Sequence, residues 1–190
     1  MTKLHLGCGK NILEGWVNVD SRRMPGVDIV ADLDRCSRVP LPLEDDSVDE
    51  FLASHVIEHL VNPLPFMEEL YRIAKPDSKA VFRLPYGSSD DAFEDPTHVR
   101  QYFLNSFGYF SQPFYWRADY GYRGDWATQS ITLVVDAKIH AGKTSQQIMT
   151  EVHTLRNVVR EMEVELRAVK PPRAPQAALQ TNYRVQIQLA

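Results

Sequence analysis

Five short apolar runs, each stopped by glycine, aspartate, serine or proline, succeed one another in the first 85 residues: KLHLG (3–7), WVNVD (16–20), VDIVADL (27–33), VDEFLAS (48–54) and KAVFRLP (79–85). Their length and punctuation predict strands. Between the fourth and fifth lies PLPFMEELYRIAKP, where Phe66, Met67, Leu70, Ile73 and Ala74 recur at helical spacing and Pro76 ends the run. That reads as a crossover helix. Strands joined by crossovers imply a parallel α/β sheet, with ligands bound beyond the carboxyl ends of the strands.

The second half has a different texture. Residues 86–127 are rich in Phe, Tyr and turn residues, which reads either as a partly helical lid-like segment or as an aromatic satellite core under a long loop. SITLVVDAKI (130–139) and NYRVQIQLA near the end read as two further strands. Between them Ile148, Val152, Leu155, Val159, Met162, Leu166 and Val169 recur at alternating steps of four and three, the a/d pattern of a coiled-coil seam. This predicts one long helix inserted over 143–170, with its core at 145–169, that pairs with a second copy in a two-fold homodimer. At 190 residues and 44% hydrophobic content the chain fits one domain, 1–190. A net charge of −4 disfavours nucleic acid as partner. Cys8 and Cys36 form no metal or disulfide framework, and no run approaches the roughly 20 apolar residues of a membrane span. A cytoplasmic protein with a small-molecule ligand is the expectation, with no membrane partner.

LHLGCGKN places Gly7 and Gly9 where the first strand must turn, so that backbone N–H groups can approach a ligand. The run is not a phosphate loop of the G-x-x-x-x-G-K-[ST] type, and a dinucleotide fingerprint would need glycine where Ile12 stands. Asp20 closes the second strand and Asp32 lies near the end of the third, so a parallel sheet brings both beside the glycine turn. A carboxylate at the second strand end can accept both hydroxyls of a ribose. The plainer reading is that both acids cap local turns.

In this order the motifs LHLGCGKN, GWVNVD, VDIVADL and DEFLASHVIEHLVNP resemble a class I S-adenosylmethionine-dependent methyltransferase, over residues 3–85. FEDPTHVRQYF (93–103) resembles a segment that follows the fifth strand in small enzymes of this type. The resemblance implies a Rossmann-like, doubly wound, mostly parallel seven-stranded sheet with an antiparallel last strand. It implies S-adenosyl-L-methionine as cofactor, with Gly7, Cys8 and Gly9 near its methionine end, Asp20 at the ribose, Asp32 and Leu33 at the adenine, and His55 at the active-site mouth. The acceptor would be a small hydroxyl- or amine-bearing metabolite, sugars among them. The alternative is a non-catalytic binding or assembly module on the same fold. Two departures are the absence of helices before the first strand and the long helix near the end.

SHVIEHL (54–60) matches the H-x-x-E-H signature in which two histidines of one helix bind zinc and a glutamate activates water. That chemistry needs a continuous helix, whereas VDEFLAS predicts a strand running into His55. No metal is therefore assigned. A divalent ion on His55, Glu58 and His59 stays open as an alternative, because some quinone-pathway O-methyltransferases bind one at this junction. For proton removal from an acceptor the first candidate is His98, oriented by Asp95, and the second is His55. His98 as a plain helix-start residue is the competing reading. His5, His140 and His153 read as structural.

Overall fold

The computed structural model describes all residues from Met1 to Ala190. Eight strands form one sheet: β1 (Lys3–Leu6), β2 (Val17–Asp20), β3 (Ile29–Val30), β4 (Val48–Ser54), β5 (Ala74–Pro85), β6 (Trp126–Val135), β7 (Val159–Ala168) and β8 (Arg184–Leu189). Their spatial order is β3-β2-β1-β4-β5-β7-β6-β8. All pairings among β1 to β5 are parallel, β7 runs antiparallel to both β5 and β6, and β8 lies parallel to β6 at the edge. The predicted α/β, mostly parallel sheet is therefore present, with eight strands where the sequence suggested seven. The antiparallel strand is β7, and the strand that ends the chain is a parallel edge.

From β1 the chain winds outward through β2 and β3, and then returns to place β4 and β5 on the other side of β1. The strand order reverses between β1 and β4, and such a reversal opens a crevice at the carboxyl ends. Helix α1 (Pro63–Ile73) crosses from β4 to β5; it buries Phe66, Met67, Leu70 and Ile73, the stripe read from the sequence. Single helical turns α2 (Asp91–Glu94) and α3 (Ala137–His140) sit in connections. α4 (Ser145–Thr154) is closed at its start by a capping box between Thr144 and Gln147. No helix is long and apolar enough to cross a membrane.

The predicted helix over 145–169 stops at Thr154, where Leu155 is extended and Asn157 takes φ 58°. The chain then enters β7, in which Met162, Val164, Leu166 and Ala168 are buried while Glu161, Glu163, Glu165 and Arg167 face outward at partial exposure. The step is two, not three and a half. Met162 and Leu166, four residues apart, satisfied both patterns, and the alternating charges between them are what separates strand from helix. Placed between β5 and β6, the segment satisfies its backbone on both sides, and Arg83–Glu163 (2.6 Å) and Lys79–Glu165 (2.7 Å) pair across the β5–β7 boundary. With Met162 and Leu166 fully buried in the sheet and Leu155 more than half exposed at the turn, the coiled-coil seam does not exist and the homodimer built on it loses its basis.

One cluster of 38 buried residues runs through the whole sheet and includes Tyr102, Phe107, Phe110, Tyr115, Tyr122 and Trp126 from the aromatic segment. Phe107 packs 5.5 Å from Phe82 of β5, and Trp126 donates its Nε1–H to the carbonyl of Met67 in α1 (3.1 Å). Asp125, fully buried, accepts from Nε and Nη2 of Arg173 (2.8 Å each) and from the backbone N–H of Gln112. This half of the segment is core. Phe93, Phe103, Tyr109, Trp116 and Tyr120 remain exposed on its outer side.

Candidate active site

The turn after β1 is built for close approach. Gly7 and Gly9 both have positive φ (60° and 53°), which favours residues without a β-carbon. A β-carbon on Gly7 would stand 2.4 Å from Val56 Cγ2, so the turn packs against the end of β4; one on Gly9 would meet nothing within 4 Å. Gly9 therefore borders open space. Its N–H donates to Asp20 Oδ2 (2.8 Å), and Arg22 N–H donates to Asp20 Oδ1 (2.9 Å), which fixes the carboxylate at the end of β2. Asp32 caps the short 3-10 turn Leu33–Arg35, accepting from Asp34 N–H (3.1 Å), and pairs with Arg35 (3.2 Å). Asp34 in turn accepts from Val61 and Asn62 N–H, tying that turn to the start of α1. Gly7, Asp20, Asp32, Leu33, His55 and His59 all line one cleft of about 310 Å³. Cys8 is buried beside it, and burial first, then Asp20, pushes its thiol above the usual range.

At the other end His55 and His59 also border a second hollow of about 560 Å³, walled by Asp91, Glu94, Asp95 and His98. The two hollows adjoin at those two histidines and together make a trough of two parts. His55 sits just past β4 with φ 55°, a conformation that costs a residue with a β-carbon about 1–3 kcal/mol and gathers at functional sites. Its Nε2 lies 3.0 Å from Glu161 Oε2 in β7, and its Nδ1 lies 3.3 Å from Glu58 Oε1. Glu58 above all, and Glu161 after it, raise the His55 pKa above 6.5 against the opposing effect of partial burial. Glu58 and His59 lie in the 3-10 turn Ile57–His59 and not in an α-helix, so the H-x-x-E-H spacing does not align its side chains as the zinc peptidase signature requires.

The segment carrying His98 is fastened to that turn. The Glu58 carbonyl accepts from Val99 N–H (2.9 Å) and Arg100 N–H (3.1 Å), and Tyr102 donates its hydroxyl to the Ile57 carbonyl (3.2 Å). His98 keeps its side chain 8% exposed, with Nδ1 donating to the Asp91 carbonyl (2.9 Å). Asp95 Oδ2 stands 3.9 Å from His98 Nε2, beyond hydrogen-bond reach. Its other oxygen accepts from Thr97 N–H and Oγ1–H (2.8 and 2.6 Å), which together hold the carboxyl below the usual range. The carbonyl of Asp91, and not the carboxylate of Asp95, orients the His98 ring.

A family profile described as "Methyltransferase domain" matches residues 4–82, the stretch from β1 into β5 that contains the glycine turn, Asp20 and His55. The matched stretch is a methyltransferase domain, and the fold of the chain is that of the class I methyltransferases. Solved structures that it resembles are S-adenosylmethionine-dependent methyltransferases. Among solved structures it is similar to an S-adenosylmethionine-dependent methyltransferase from Archaeoglobus fulgidus, at 15% identity over 87% of this chain and 85% of that one, with a TM-score of 0.54. A second such enzyme, from Aquifex aeolicus, shares 18% identity over 89% and 82% of the two chains (TM-score 0.52). A third, from Thermotoga maritima, described as a possible histamine N-methyltransferase, shares 16% over 89% and 82% (TM-score 0.53). At these identities the likeness is one of fold. No curated protein matches the sequence.

In this chain the residues singled out by sequence converge from separate elements: Gly7 follows β1, Asp20 ends β2, Asp32 and Leu33 open the turn after β3, and His55 follows β4. His98 and Asp95 join them through the second hollow. Two residues were missed as neighbours of the site. Glu161 was hidden because its segment read as helix, although the E-M-E-V-E alternation marks it as one face of a strand. Asp91 acts through its carbonyl, which no side-chain pattern reveals.

Proposed function

We propose that the trough receives S-adenosylmethionine at its glycine end and a small polar acceptor, carrying a hydroxyl or an amine, at its histidine end. Sugars belong to the class that fits. The observation that carries the reading is the shared wall of His55 and His59, which sets the cofactor-side cleft next to a hollow lined only by imidazoles, carboxylates and prolines. Such a lining offers acceptors for hydroxyl and ammonium hydrogens and, the two prolines apart, no hydrophobic side chain to favour an apolar substrate. In this reading Gly7, Cys8 and Gly9 lie along the methionine moiety. Asp20, which retains free lone pairs beside its two backbone bonds, takes the ribose hydroxyls, and Asp32 and Leu33 flank the adenine.

The acceptor atom attacks the methyl carbon, the carbon–sulfur bond breaks with its electron pair going to sulfur, and the acceptor loses a proton. The sulfonium is already a good leaving group, so the protein's work is alignment and proton removal. His98 and His55 are the imidazoles that serve the acceptor side. The decisive experiment combines S-adenosylhomocysteine calorimetry with turnover on His98→Ala. Turnover should fall about a hundredfold or more, the scale of a lost acid–base group, with product affinity and thermal midpoint unchanged. A parallel loss of cofactor affinity or of fold would instead make His98 a structural residue.

A further inference from the structure

Glu58 is the residue that fold and cofactor cleft leave unexplained. It is 2% exposed, and no group hydrogen-bonds either carboxylate oxygen. His55 Nδ1 stands 3.3 Å from Oε1, at ion-pair distance but without hydrogen-bond alignment. Burying a carboxylate in this way is costly, and native proteins seldom do it without a purpose. The oxygens share a small space with two imidazoles: His59 and His98 meet edge to face with centroids 4.7 Å apart. One nitrogen from each ring and a carboxylate oxygen of Glu58 lie within 4.8 Å of one another.

The tautomers of both rings are set from behind. His59 Nδ1 lies 3.2 Å from the Thr97 carbonyl and 2.9 Å from Thr97 Oγ1, and His98 Nδ1 lies 2.9 Å from the Asp91 carbonyl. A carbonyl can only accept, so each Nδ1 carries the hydrogen and each Nε2 presents a lone pair. An imidazole that donates one ring N–H to a backbone carbonyl and leaves its other nitrogen with a free lone pair is arranged as metal-bound histidines are.

We propose that Glu58, His59 and His98 bind a divalent first-row cation of the Zn²⁺ type. Two imidazoles and a carboxylate suit that class, and three protein ligands leave a position open toward the trough. Bond lengths of about 2.0–2.1 Å put the ligand atoms of a tetrahedral ion about 3.3 Å apart, so binding draws the trio together by small side-chain rotations. The backbone bonds from Val99 and Arg100 to the Glu58 carbonyl already hold the two ligand-bearing segments side by side. The trio differs from the one the sequence suggested, because His55 turns toward Glu161 while His98 arrives from a segment 39 residues beyond His59. Binding of the ion stands without the methyl-transfer reading; its use rests on that reading. With a cation on its Nε2, His98 acts on the acceptor through the ion, and His55 is left as the imidazole that takes the proton.

The test uses the untagged full chain, stripped with a chelator, dialysed, and titrated with Zn²⁺ by calorimetry and with Co²⁺ by visible absorption. One equivalent should bind, His59→Ala and His98→Ala should each weaken binding about a hundredfold or more, and His55→Ala should leave it within a few fold. Glu58→Gln should weaken it as well; if that variant does not fold, the two histidine variants, whose side chains lie nearer the surface, decide alone. Folded wild-type protein that takes up neither ion, or histidine variants that bind as well as wild type, would overturn the site and leave Glu58 as the ion-pair partner of His55. S-Adenosylhomocysteine binding, measured on the same stripped sample, separates the two ideas. Product binding without Zn²⁺ or Co²⁺ uptake removes only the metal site, and metal uptake without product binding removes only the methyl-transfer reading.

Discussion

The two halves of the sheet do different work with the same secondary structure. β1, β2 and β4 are short parallel strands whose carboxyl ends release Gly7, Asp20 and His55 into one cleft. β6 and β7 are long strands of 10 residues each, locked antiparallel, whose ends carry none of the cofactor-side residues. The first half has small, left-handed or capped residues at its strand ends, around the cleft. The second half supplies burial: Met162, Val164, Leu166, Ile131 and Leu133 are fully enclosed. In an open sheet, then, the chemistry follows strand ends at the reversal of order, while the far side is selected for packing. Glu161 is the exception, since it reaches from β7 to His55.

The packing half is expected to give the most severe failure. Val164 lies between Phe82 of β5 and Ile131 of β6 with no exposure, so Val164→Asp buries a charge without a partner. A loss of about 4 kcal/mol or more, read as a collapsed thermal midpoint or insoluble protein, is expected. A folded Val164→Asp protein would erase the contrast between the halves at once.

A smaller and more selective effect belongs to the ligand half. Asp20→Ala removes a charged acceptor at a strand end while leaving the core intact, and should weaken S-adenosylhomocysteine binding by about 1–3 kcal/mol in calorimetry. Its thermal midpoint should move little, since Asp20 is only partly buried and serves the backbone N–H groups of Gly9 and Arg22. Unchanged affinity in the folded variant would remove the ribose assignment.

The weakest signal concerns what holds β7 in register. A double-mutant cycle on Arg83 and Glu163, paired at 2.6 Å but both more than a third exposed, should give a coupling of about 0.2–1 kcal/mol in urea unfolding, falling as salt is added. A coupling well above that range would mean that charge, and not the buried face, selects strand over helix here.

Much of the ligand half was legible in the sequence. A run such as KLHLG followed by C-G has few ways to continue, because the turn must use positive φ and glycine supplies it. The acid ending WVNVD is bound to the same side by parallel pairing. The α1 stripe fell where helical spacing placed it. The segment after Thr154 was not legible in this way. Met162 and Leu166 satisfy a helical step of four as well as they satisfy a step of two, and the choice belonged to the neighbours. β5 and β6 offer unpaired backbone on both sides and apolar surface on one face, and a strand satisfies both while a helix would satisfy only the second.

The succession of strands and crossovers, the glycine turn and the acids at the strand ends are written into the chain locally, because they rest on steric and hydrogen-bonding limits that neighbours cannot override. Which histidine meets which carboxylate is settled by packing. Local spacing had grouped His55, Glu58 and His59; a left-handed residue at 55 and two backbone bonds to the Glu58 carbonyl instead set His55 on Glu161 and His98 beside Glu58 and His59. Contacts between residues 39 to 106 positions apart are fixed by how the segments come together, and no local pattern encodes them.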